Sequence, residues 1–144
     1  MAGSAVRPPV WFMLVVTLLL LWEAVGLFAC IQQFRFGAEA MGPASDYDRA
    51  LYAAMPGWYD YCYALAVGTG FFGALALLLR SRVAVPLAAV SLAAVVVQFG
   101  YLFLASDIIE VKGVWTAYFP LFIIALGVFT LWLARRSTRR GWIS

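Results

Sequence analysis

One carboxyl group stands where a carboxyl group is hard to keep. Glu23 lies inside the apolar run LVVTLLLLWEAVGLFAC at residues 14–30. Counted from Val10, it is about fourteen positions into a helix, or roughly 20 Å into a hydrocarbon core about 30 Å thick. An acid at that depth is costly unless it is protonated, paired or hydrated. Three readings follow. Glu23 is a protonated hydrogen-bond hub for the bundle, since loss of water favours its neutral form. Or it is a proton- or solute-binding group of a small transporter or channel. Or it pairs with a basic group on a partner, because none of this chain's own apolar spans contains a basic residue in its interior.

Few other side chains could join it. Gln98 and Tyr101 are three apart and share a helix face. Gln98 is about as deep in the third span as Glu23 is in the first. Thr69, between Gly68 and Gly70, falls within one or two turns of that level. A ligand- or proton-binding cluster of Glu23, Gln98, Tyr101 and Thr69 is therefore the expectation. Cys30 and Cys62 lie near the same end of their spans, which leaves open either a disulfide on an oxidising face or two small apolar residues. Asp60, between Tyr59 and Tyr61, is shallow enough to be hydrated. Catalysis has little support. The chain has no histidine and no HExxH, CxxC, GxSxG, Walker or nucleotide fingerprint, so neither a histidine-based triad nor a histidine metal site can be built. No enzyme activity, cofactor or metal is expected.

The elements that must carry these groups are membrane spans. Of 144 residues, 65% are hydrophobic and 12% charged, with mean hydropathy +0.93, whereas soluble domains are near half apolar and a quarter charged. Four spans are predicted, at about 10–32, 58–79, 84–105 and 115–134, in one integral membrane domain with an outer loop at 33–57. The first exceeds a signal-peptide core in length and reads as a full span. In the loop, Ser45 and Asp48 have capping-box spacing, so DYDRALYAAM is expected to form a surface helix stopped by Pro56 and Gly57. WYDYCY opens the second span as an aromatic belt. Ala66, Gly70 and Ala74, flanked by Gly73, form a small-residue face for close helix packing, and Gly26 is a similar point in the first span. The turn Arg80–Val83 is short, which makes the second and third spans antiparallel neighbours.

Orientation follows from charge. Seven basic residues (Arg7, Arg80, Arg82 and the tail Arg135, Arg136, Arg139 and Arg140) share one side, against Arg35, Arg49 and Lys112 on the other. Six of the seven acids lie on that second side or at its interface. The positive-inside rule then puts both termini in the cytoplasm. The arginine tail sets topology and touches anionic lipid. The net charge of +3 calls for no nucleic-acid partner.

Several segments resemble a bacterial group of small four-span membrane proteins, often loosely labelled sugar transporters. They are Leu21-Trp22 followed by Gly26, ALYAAMPGW at 50–58, GTGFFGALALLLRSRVAVPLAAVSL at 68–92, Gln98-x-Gly100-Tyr101 and RRGW at 139–142. The resemblance implies a multi-pass protein of the bacterial inner membrane. That group carries Asn after the tryptophan, where this chain has Glu23, which implies a polar position without an obligatory carboxylate. The expectation is an all-α four-helix transmembrane bundle in contact with membrane lipids. Its function is transport or binding of a small solute through a homo-oligomer, or an accessory or scaffold role in a larger membrane complex.

Overall fold

The computed structural model describes residues 6–40 and 42–144. The protein is all-α. Helix α1 spans Val10–Phe36, α2 Asp46–Ala54, α3 Gly57–Leu78, α4 Ala84–Ala105, α5 Ile108–Lys112 and α6 Tyr118–Arg139. Four of them, α1, α3, α4 and α6, are long and apolar enough to cross a membrane. A helix satisfies its own backbone hydrogen bonds, which is why it can stand in hydrocarbon.

Local sequence sets the helix ends. Pro9 precedes α1 in extended conformation, and Gly37, at φ 62°, ends it. Ser45 caps α2 through a complete capping box: its hydroxyl accepts from the Asp48 N–H at 3.1 Å, and Asp48 accepts from the Ser45 N–H at 3.2 Å. The first span is longer than expected, continuing to Phe36, and the last continues to Arg139. The connection expected at 106–114 contains α5 and leads into a 3-10 turn at Val114–Ala117.

Helix α3 is flanked by α1 and α4, and α4 also packs on α6. Small residues make these approaches close. A Cβ on Gly73 would stand 3.4 Å from Leu87 Cβ and 3.5 Å from the Ala88 backbone nitrogen. One on Gly127 of α6 would stand 3.0 Å from Leu92 Cδ1. Helices α6 and α1 meet through large rings, with Trp22 edge-on to Phe122 at 5.5 Å and to Phe119 at 6.0 Å. The buried apolar core gathers at the arginine-rich end, around Phe12, Val16, Leu77, Leu133 and Ile143. Leu14, Leu18, Leu21, Val25 and Phe28 form an exposed stripe along α1. Such a stripe is at home against acyl chains, which are as apolar as leucine.

Arg80 closes the arginine-rich end. It occupies the left-handed region at φ 61°, just past α3, where glycine is usual. Around it the Arg80 N–H bonds to Leu77 O and the Ser81 N–H to Ala76 O, completing a Schellman motif. Its guanidinium donates to Trp142 O at 2.9 Å and Val6 O at 3.0 Å, and its own carbonyl accepts from the Ser144 N–H. Gly141, at φ 76°, ends α6 in the same way and turns Trp142 and Ile143 under the bundle.

Candidate functional site

Alternating steps of four and three residues place Phe12, Val16, Leu19, Glu23, Gly26, Cys30 and Gln33 on one seam of α1. That seam runs antiparallel to α3. Glu23 meets Gly70, Gly26 meets Val67, and Gln33 meets Asp60. The missing side chain at Gly70 makes the room that Glu23 occupies. A Cβ there would lie 2.5 Å from Glu23 Oε2, 2.9 Å from its Cδ and 3.0 Å from Ser91 Oγ of α4. Ser91 directs its proton away, donating to Ala66 O at 2.7 Å. The half-buried Glu23 carboxyl thus lies between α1, α3 and α4, and it makes no hydrogen bond or ion pair with any described residue.

The expected cluster around Glu23 is divided by the structure. Gln98 and Tyr101 belong to an aromatic group nearer the loop end of the bundle. Gln98 is buried beside Tyr59, and Tyr101 is edge-on to Trp58 at 4.9 Å. Gln98 stands two turns along α4 from Ser91, the α4 residue that does reach the Glu23 level. The expected alignment counted residues from the start of each span, but α1 begins farther out than α4, so that Glu23 and Ser91 share a level although Ser91 is much nearer the start of its helix. The Thr69 hydroxyl turns back into α3, donating to Leu65 O at 2.6 Å and reaching Ala66 O at 3.4 Å, the carbonyl that also accepts from Ser91, and it makes no bond to Glu23. Ala66, Gly70, Gly73 and Ala74 are all buried, facing α1 and α4, so this small-residue face is covered within the chain. Cys30 and Cys62 are free thiols. Cys62 Sγ points to α4 and donates to Ala94 O at 3.3 Å.

A second polar assembly covers the loop end. Asp60 accepts from Gln33 Nε2 at 2.8 Å and from the Tyr52 hydroxyl at 2.9 Å, which joins α1, α2 and α3. Lys112 of α5 pairs with Asp48 of α2, and the Tyr47 hydroxyl donates to Asp107 at 2.7 Å. Burial and the Asp60 bond push the Tyr52 phenol up, so it stays a donor. Tyr47 is pushed up to about 12, by loss of water and then by Asp107. The Lys112 bond, followed by the Ser45 bonds, holds Asp48 below the usual carboxylate range. Beneath α2 lies a cavity of about 300 Å³ whose wall includes Gln33, Asp48, Tyr52, Met55 and Tyr59. Asp60 was noticed in the sequence only as a hydrated acid. Its partners Gln33 and Tyr52, and Ser91 at the Glu23 level, were missed.

Among the described residues, no group of three His, Cys, Asp or Glu is placed to hold a metal ion. The chain matches no protein-family model, no curated protein and no solved structure.

Proposed function

We propose that this chain is a small transport-like protein of the bacterial inner membrane that binds a small solute or a proton at Glu23. The observation that carries the reading is the Glu23 carboxyl itself, set on the bare backbone of Gly70 between the apolar helices α1, α3 and α4 and bonded to no described residue. An acid retained in such a place without a structural partner is the usual mark of a solute or proton pathway. Four helices leave little room for a path, so the working unit is a homo-oligomer. Seven basic residues against three favour both termini in the cytoplasm, with the α2 end outside. The rival accessory or scaffold reading would dock on a larger complex through the small-residue face or through the outer loop. The small-residue face that suited it is covered by α1 and α4.

The test uses the purified protein in nanodiscs. Dicyclohexylcarbodiimide, which enters bilayers and adds to protonated carboxyl groups there, the O-acylisourea rearranging to a stable N-acylurea, should add its mass at Glu23. A solute that binds at this acid should block the reaction, and Glu23→Gln should lose both the adduct and the solute. If Glu23→Gln binds every solute that the parent protein binds, with equal affinity, Glu23 is structural and the proposal fails.

A further inference from the structure

The arginine-rich end carries a feature that Glu23 does not account for. A shallow groove of about 280 Å³ runs along the outside of α6, lined by Val128, Leu131, Trp132, Arg135 and Arg139. Steps of three and four residues put these side chains on one helix face. The opposite face, with Thr130, Leu133, Ala134 and Ser137, is the buried one. The groove therefore opens away from the other helices, toward lipid. Its wall is fixed by ring contacts: Trp132 packs on Phe129 at 5.9 Å and lies beneath the Arg136 guanidinium at 5.4 Å. Along the axis the apolar residues come first and the two arginines last. Seven residues separate Val128 from Arg135, about 10 Å of helix, in a leaflet core about 15 Å deep. That is the layout of a phospholipid, an apolar length ending in a charged head.

The charge at the head of the groove is unspent. Arg80 is committed to the Val6 and Trp142 carbonyls, and Arg136 to the Trp132 ring. Arg135 and Arg139 are exposed and bond to no described residue, and every ion pair among the described residues lies at the loop end. Four residues apart, their guanidiniums can close on one phosphodiester, whose oxygens match the donor fork of arginine. The headgroup is selected too. Residues 1–22, 61–106 and 111–144 contain no Asp or Glu. The ammonium of a zwitterionic lipid would meet seven basic residues here and no carboxylate side chain, whereas an anionic head meets only attraction.

We propose that the α6 groove binds one anionic phospholipid from the leaflet at the arginine-rich end, with Arg135 and Arg139 on its phosphodiester and an acyl chain along Val128, Leu131 and Trp132. Basic residues beside a membrane attract anionic lipid in a general way. The groove does more, holding a single molecule at two particular arginines. It is independent of Glu23 and requires only that α6 stand in the bilayer.

Native mass spectrometry tests this on the full chain, released from detergent micelles holding equal amounts of phosphatidylglycerol and phosphatidylethanolamine with matched acyl chains. One phosphatidylglycerol should stay bound, retained at least about tenfold over phosphatidylethanolamine. Arg135→Gln combined with Arg139→Gln should bring the two lipids level. Arg82→Gln combined with Arg140→Gln removes the same charge from the same end outside the groove, and should leave the preference in place. Glycerophosphoglycerol, the same headgroup without acyl chains, should not displace the bound lipid. Equal retention of the two lipids by the parent protein overturns the proposal without any variant. Equal losses from the two double variants would mean a diffuse basic surface, and displacement by the soluble headgroup would mean that the groove holds no acyl chain. Either result overturns the proposal as well.

Discussion

A single absent side chain decides how Glu23 is held. Gly70→Ala would place a methyl group 2.5 Å from Oε2, so the carboxyl must move or the helices must part. Overpacking of this kind typically costs about 1–3 kcal/mol. The expected outcome is a drop in thermal stability in detergent, together with altered carbodiimide labelling. Adding Glu23→Ala should recover most of the stability, since directly touching residues couple by about 0.5–3 kcal/mol. A fully additive double variant would show that the contact is not the cause. Residue type alone made Glu23 visible in the sequence. Its partners were harder to read, because Gly70 looks like any packing glycine and Ser91 like any small residue of an apolar helix. The signal that existed was the four-and-three spacing on α1, which assigns Glu23 to the same seam as Phe12, Val16 and Gln33 and so turns it toward a neighbouring helix.

At the scale of elements, α2 is the informative case. It has no buried residue, and polar links tie it down: Tyr52 to Asp60, Lys112 to Asp48 and Tyr47 to Asp107. Its docking should therefore follow pH while the apolar spans do not. The folded pKa of Asp48 is depressed, so its contribution is full above the ordinary value of 3.8 and is lost as pH falls below it. Tyr47 is raised from 10 to about 12, so its contribution is full below pH 10 and is lost as pH rises through 12. Amide hydrogen exchange should show α2 held across the range between and loosened at both extremes, after correction for the intrinsic rate. Lys112→Gln should speed α2 exchange at neutral pH by only a few-fold, because a partly exposed pair contributes about 1 kcal/mol or less. Rates in α2 that do not respond to Lys112→Gln would mean the ion pair holds nothing. The sequence revealed α2 through its capping box, a strictly local device. It could not reveal α5, whose five residues are too few to hold a helix by themselves.

For the whole molecule, the four spans were legible because hydrocarbon thickness fixes their length, and that limit acts on sequence directly. Their arrangement was not, since helices that are apolar all round carry no stripe that names a neighbour. Arg80 was legible as a charge and hidden as a latch. A left-handed residue past a helix is expected to be glycine, and only the distant carbonyls of Val6 and Trp142 explain an arginine there. Arg80→Gly should relieve about 1–2 kcal/mol of backbone strain and lose two charge-assisted bonds of about 1.5–3 kcal/mol each. The net expectation is a loss of about 1–5 kcal/mol in thermal unfolding, and a stabilised variant would refute the latch. Timing gives this feature a further meaning. Arg80 and the Trp142 carbonyl it grips are 62 residues apart. When the hairpin of α3 and α4 is delivered to the bilayer, one of the two carbonyls that secure its turn, that of Val6, is already present, and the other, that of Trp142, has not yet been synthesised. Assembly therefore has a fixed last step, in which the segment following α6 swings beneath the finished helices and fastens them. A chain halted before that step would hold its four spans in the membrane with the lower end still unfastened.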